Sequence, residues 1–107
     1  MIRLLILTSA LALAACAEVE SAVDRTGRQA ATSAVTETIA INFPQVPKPL
    51  IEAFTGCVID NAQAVEVRQL ALDSATGVDQ QTVEVVRSIL ARPGTQNCVR
   101  SRAASVL

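Results

Sequence analysis

Few residues of this chain can do chemistry: it has three cysteines, ten carboxylates and no histidine. Without histidine, a metal or haem site built on imidazole is excluded, and general acid–base catalysis loses its most frequent carrier. No Cys-x-x-Cys occurs, which excludes a thioredoxin-type centre and covalent haem attachment. The three thiols can still accept a lipid or form a disulfide, so Cys16, Cys57 and Cys98 are the first candidates for a chemical role.

Among the carboxylates, only Glu66 and Asp73 have a spacing that would suit a pair acting together in acid–base catalysis. They lie two helical turns apart on one polar strip of a predicted helix. A solvated helix face explains this pair better than acid–base chemistry. The sequence also has no Gly-x-Ser-x-Gly, no phosphate-binding glycine loop and no oxygen-rich loop of metal-binding spacing. We therefore expect no enzyme, no cofactor and no metal site.

The first 15 residues have the pattern of an export signal. A short basic start is followed by an aliphatic stretch over residues 4–15, too short for a membrane span of about 20 apolar residues. Leu13-Ala14-Ala15-Cys16 resembles a bacterial lipobox, in which the cysteine thiol receives a diacylglycerol before cleavage ahead of it. The resemblance implies a signal peptide over 1–15 and an acylated Cys16 as the first residue of the mature protein.

The residue after Cys16 bears on which membrane of the envelope such a lipoprotein would be anchored in. Ala17 is not the aspartate that holds some lipoproteins in the inner membrane, so the resemblance implies the periplasmic face of the outer membrane. Two alternatives stay open. Ala15-Cys16-Ala17 also satisfies the small-x-small rule of ordinary signal peptidase, which would release a soluble periplasmic protein. The apolar segment would also suit a buried helix of a cytosolic chain.

The number of cysteines favours export. Three cysteines leave one odd thiol in a secreted protein, but a lipid on Cys16 leaves only the pair Cys57 and Cys98. Such a pair is expected to form a disulfide in an oxidising periplasm. Its Cα atoms should then lie within about 4.4–6.8 Å of each other. The alternative is two buried free thiols, which are common in cytosolic proteins.

Hydrophobic periodicity divides the chain after the signal peptide. Residues 16–42 carry a thin helical stripe of small residues, which predicts a lipid-anchored helix or stalk that packs loosely or not at all. Pro44, Pro47 and the following Pro49 disfavour helix and predict a linker over 43–48. From 49 to 107, clean helical spacing predicts a single helical domain.

Local capping signals place the helices of that domain. Asp60 or Asn61 is expected to cap its second helix, Asp79 its third and Thr95 a short last one. Glycine and proline between the apolar runs mark where each helix stops.

A β fold is the competing interpretation. Two Val-Glu-Val segments, 65–67 and 83–85, alternate as strands do. The alternation lasts only about three residues in each, short of the 4–8 that indicate a strand. We therefore predict an all-α fold: a small disulfide-stapled bundle of about four short helices, preceded by a signal peptide and a loosely packed N-terminal helix.

The charges give no basis for binding nucleic acid but leave one basic end. With 9 Lys+Arg against 10 Asp+Glu and no Trp or Tyr, the chain lacks both a basic patch and the best stacking residues. Arg87, Arg92, Arg100 and Arg102 lie in the final third, where Glu84 is the last acidic residue. The helix dipole explains Arg92 near a helix C-terminus. Arg100 and Arg102 are candidate contacts for lipid head groups or an acidic partner.

The chain resembles small envelope lipoproteins of alphaproteobacteria that have no settled function. The resemblance rests on its length, the lipobox and the run Cys57-Val58-Ile59-Asp60-Asn61 with a distal Cys98. Some of these lipoproteins carry the label succinate dehydrogenase. That enzyme holds its flavin and haem through histidine and its iron–sulfur clusters through many cysteines, so its chemistry does not fit this chain.

These observations favour a non-enzymatic lipoprotein that acts as a tethered interaction or structural module in the periplasm. Its expected partners are the membrane, through the lipid anchor, and a protein of the envelope. The alternative is a small lipid- or chain-binding carrier or holdase. That carrier would enclose an apolar cavity lined by Leu50, Phe54, Leu70 and Ile89.

Overall fold

This computed structural model describes residues 25–106. They contain five α-helices and one 3-10 turn, joined by short connections. Helix α1 covers residues 25–42. A 3-10 turn at Lys48–Leu50 leads into α2 (Ile51–Asn61), α3 (Ala64–Thr76), α4 (Gln80–Leu90) and α5 (Pro93–Val106). No strand occurs between residues 25 and 106, and both Val-Glu-Val segments are helical. The all-α prediction is confirmed, whereas the signal peptide and Cys16 lie outside the described residues.

The boundaries of α3 and α4 follow local capping chemistry. Asp79 caps α4 as predicted, because its Oδ1 accepts the Thr82 backbone N–H at 3.1 Å. The cap of α3 differs from the prediction: it is Gln63, whose backbone N–H donates to Glu66 Oε1 at 2.8 Å. Asp60 and Asn61 cannot serve, because α2 continues through both of them. Gly77 ends α3 with a φ of 109°, a conformation that only glycine adopts without strain.

The last helix begins earlier than the sequence suggests. Pro93 opens α5, where its missing N–H costs nothing and its fixed φ suits the first helical turn. Thr95 therefore lies inside the helix instead of capping it. Its side chain is fully buried, and its hydroxyl has no hydrogen-bond partner among residues 25–106.

Helix α1 is part of the hydrophobic core, so the prediction of loose packing is wrong for its described residues. Ala31, Val35 and Ile39 are completely buried. Ala31 needs little space, whereas Ile39 and Val35 are among the largest fully buried side chains of the described residues. Thr38 is also fully buried, and its hydroxyl donates a hydrogen bond to the Ala34 carbonyl oxygen at 2.7 Å. The core joins α1 to α2, α3 and α4 through Ala31, Val35, Ile39, Phe43, Val58, Ile59, Leu70, Val83, Val86 and Ile89.

The predicted disulfide between Cys57 and Cys98 is present. The two Cα atoms are 5.6 Å apart, within the expected range, and Cys57 is completely buried. The bond joins α2 to α5, the two helices that pack most extensively against each other among those in 48–106. Because the first and last of these four helices are linked, the bond constrains both helices between them.

Candidate interaction groove

Both aromatic residues of the chain line one open groove, which we call the aromatic groove. Phe43 follows α1 and Phe54 lies on α2. The groove has a volume of ≈ 540 Å³. Its other apolar lining residues are Val46, Pro47, Leu90, Ala91 and Val99. Its polar and charged lining residues are Gln45, Gln96, Arg87 and Arg100.

The proline segment forms one side of the aromatic groove as a series of tight turns. The Phe43 N–H donates to the Ile39 carbonyl at 3.1 Å, which continues the hydrogen bonding of α1. The Val46 N–H then donates to the Phe43 carbonyl at 3.0 Å. Phe43 is only 7% exposed, and Val46 packs against the core. Within the segment 43–48, predicted as a linker, Phe43 and Val46 therefore pack with the core, while the other four residues are exposed.

Within residues 25–106, the two charged side chains that line the aromatic groove, Arg87 and Arg100, are both positive. Arg87 lies over the Phe43 ring, with its guanidinium carbon 5.7 Å from the ring centroid. Its Nη1 also donates to Glu84 Oε1 at 2.9 Å, and Glu84 lies outside the lining. Arg100 is exposed and has neither an ion pair nor a side-chain hydrogen bond within residues 25–106. The groove thus presents one arginine that already has a carboxylate and one that does not.

Arg102, the other predicted contact residue, lies elsewhere and has partners. Its guanidinium donates to Asp60, which also accepts from Arg28 at 3.2 Å. Asp60 therefore links α1 and α5 to α2. Residues two apart on a helix point about 200° away from each other, which explains why Arg100 and Arg102 do not share a surface. The side chains of all three linked residues are about half exposed, so each ion pair adds little stability.

Glu66 is not part of a solvated helix face, contrary to the sequence-based interpretation. The Arg92 guanidinium donates two hydrogen bonds to its carboxylate, from Nη1 to Oε1 at 2.8 Å and from Nη2 to Oε2 at 2.7 Å. Arg92 also donates to the Asn61 carbonyl oxygen at the end of α2, at 2.8 Å. The Arg92 guanidinium lowers the pKa of Glu66 from its usual value; partial burial opposes this effect, and the Gln63 N–H adds to it. Glu66 thus ties the start of α3 to the segment after α4.

Asp73 is likewise a structural residue. It is 6% exposed and accepts from Thr82 Oγ1 at 2.9 Å and from Gln69 Nε2 at 3.0 Å. Thr82 is completely buried and connects Asp73 on α3 to the cap of α4. The Gln-x-x-Glu motif at 63–66 and the Asp-x-x-Thr motif at 79–82 are capping boxes that point to part of this network from sequence alone.

The residues proposed for a carrier cavity separate into two groups. Phe54 lines the aromatic groove, whereas Leu70 and Ile89 are completely buried in the core and Leu50 is 8% exposed. Between residues 25 and 106, no group of three or more His, Cys, Asp or Glu side chains could hold a metal ion. No helix in the same range is long and apolar enough to cross a membrane.

No protein-family model, no curated protein and no solved structure matches the chain. The aromatic groove combines part-exposed apolar surface with polar side chains that have no hydrogen-bond partner within residues 25–106.

Proposed function

We propose that this protein is a non-enzymatic lipoprotein of the bacterial envelope whose helical body binds another envelope protein through the aromatic groove. The observation that carries the proposal is that both aromatic residues of the chain line this one groove, together with Arg87 and Arg100. Aromatic residues and arginine are enriched where protein interfaces concentrate their binding energy. A surface of this composition suits a protein partner.

The proposed anchor is a lipid on Cys16, which would hold the protein at the periplasmic face of the outer membrane. Its support is the lipobox-like Leu13–Cys16 sequence together with the pairing of the other thiols. Because Cys57 and Cys98 are joined, Cys16 is the one cysteine left over. A soluble periplasmic form is the alternative, and the mass of the mature protein distinguishes the two.

A binding role also fits the way the charged residues are used. Glu66 is held by Arg92, Asp73 by Thr82, and Asp79 caps α4. Each of these carboxylates stabilises a junction between helices or a helix end. This use favours a rigid binding module over an enzyme.

In-cell photo-crosslinking tests the proposal. A photoreactive amino acid at Gln96, which lines the aromatic groove, should form an adduct with one envelope protein, whereas the same group at the exposed Glu37 should not. Ala91→Trp, which fills the groove, should abolish the adduct, and Ala104→Trp on the exposed face of α5 should leave it intact. Adducts of equal yield from both positions, unaffected by Ala91→Trp, would refute the proposal.

A small carrier remains the second candidate, because the ≈ 540 Å³ of the aromatic groove falls within the size range of small-molecule sites. A fluorescent fatty acid tests it directly. Binding that Ala91→Trp abolishes, without any protein adduct from Gln96, would favour the carrier.

A further inference from the structure

We infer that the partner segment in the aromatic groove carries an apolar side chain next to a carboxylate, the apolar group on the part-exposed Phe54, Val46 and Leu90 and the carboxylate on Arg100. This inference rests on the proposed function and adds the chemistry of the partner. It follows from three properties of the groove: uncovered apolar surface, unbalanced positive charge and unpaired side-chain amides.

The inferred apolar side chain of the partner follows from groove residues that are only partly buried. Phe54, Val46 and Leu90 all pack against the core, yet each keeps part of its side chain exposed toward solvent. All three line the aromatic groove. An apolar side chain of the partner would remove water from these surfaces, which is the main favourable contribution to association.

The inferred carboxylate of the partner segment follows from the arginines of the groove. Among residues 25–106, no carboxylate lines the aromatic groove, and Arg87 already pairs with Glu84. Arg100 carries an exposed charge without a carboxylate in residues 25–106. Guanidinium groups bind carboxylates with two parallel hydrogen bonds. An acidic side chain would complete this arrangement, and a basic one would be repelled.

The unpaired amides favour a peptide over a lipid. Gln45 and Gln96 line the aromatic groove, and neither side-chain amide has a hydrogen-bond partner in the described part of the chain. Each amide offers both a donor and an acceptor, which matches the alternating N–H and C=O groups of a peptide backbone. An anionic lipid head group of the phosphatidylglycerol type has no N–H, and an acyl chain would be poorly enclosed by an open groove.

Peptides of defined charge provide the test. The full chain carrying Cys16→Ser is titrated into labelled synthetic peptides that share their leucine positions and differ only in glutamate, glutamine or lysine between them. The glutamate peptide should bind best and the lysine peptide worst. Arg100→Glu should weaken the glutamate peptide about tenfold and strengthen the lysine peptide. Arg68→Glu, the same charge change at an exposed site on α3, should alter either affinity less than about twofold.

Three outcomes would overturn the inference. One is equal binding of the glutamate and lysine peptides, and another is an equal loss in Arg68→Glu and Arg100→Glu. The third is Arg100-dependent binding to phosphatidylglycerol vesicles without binding of the glutamate peptide. The photo-crosslinking experiment separates this failure from that of the proposed function. An adduct at Gln96 that Arg100→Glu leaves unchanged means that the interaction is right and the inferred partner chemistry is wrong.

Discussion

Reduction of the Cys57–Cys98 disulfide is expected to remove a large part of the stability of the helical body. The two cysteines are 41 residues apart, and closing a loop of this size lowers the entropy of the unfolded chain by the equivalent of about 4 kcal/mol at 25 °C. Unfolding entropy of about 2.1 cal/mol/K per residue gives about 0.17 kcal/mol/K over residues 25–106. The melting temperature should therefore fall by about 20 °C on reduction.

Thermal melts followed by far-UV circular dichroism, with and without reductant, measure this difference. Thiol counting under native and denaturing conditions confirms that the bond is reduced, since Cys57 is buried in the folded protein. The double variant Cys57→Ala/Cys98→Ala is the control, because its melting temperature should be low and should not respond to reductant. A fall of less than about 5 °C in a fully reduced sample would contradict the loop-entropy reasoning.

Three further predictions concern the anchor and the two buried or half-buried carboxylates. Cys16→Ser should remove the acyl mass from the mature protein and move it to the soluble periplasmic fraction, as intact-mass measurement and fractionation show. Thr82→Val, which keeps the shape but removes the hydroxyl that bonds both Asp73 and Asp79, should cost about 2 kcal/mol in chemical denaturation. Arg92 lowers the pKa of Glu66 in the folded state. The ionised Glu66 therefore stabilises the fold above the pKa of an unfolded glutamate, about 4.3, and this stabilisation is lost as the pH falls through the lowered pKa. Glu66→Gln should remove that part of the acid dependence, as denaturant titrations across the acid range measure.

Each of these predictions has a matched control. A wild-type mature species that begins at Glu18 and carries no acyl mass would rule out the anchor. Thr32→Val removes an exposed hydroxyl that donates to the Arg28 carbonyl, and it should change stability by less than about 0.5 kcal/mol. A loss in Thr32→Val as large as that in Thr82→Val would show that the effect does not come from the buried bonds of Thr82 to Asp73 and Asp79. An unchanged acid profile in Glu66→Gln would mean that other carboxylates govern it.

Short-range signals predicted the helices because the interactions involved span only a few residues. Asp79 caps α4 through a residue three positions away, and Pro93 opens α5 by its own fixed φ. The α3 cap was missed because glutamine is a less common cap than the Asp60 and Asn61 beside it. The disulfide was predictable from the number of cysteines and the position of Cys57 on an apolar face.

The packing of α1 and the aromatic groove could not be predicted in the same way. The thin stripe of α1 predicts little buried area, but Ala31, Val35 and Ile39 are all completely buried. The groove brings Phe43, Phe54 and Arg100 together from three separate elements. Their proximity depends on how whole helices pack, and no local sequence pattern reports that.

The close packing of α1 limits how far the helical body can lie from its proposed anchor. Cys16 lies nine residues before Arg25, where the described part of α1 begins. A fully extended chain spans at most about 3.6 Å per residue, so this tether reaches no more than about 32 Å. A free stalk extending to residue 42 would have reached about 90 Å by the same rule. If Cys16 carries the proposed lipid, the start of α1 is held within about 32 Å of the bilayer, which favours a partner that is itself membrane-bound.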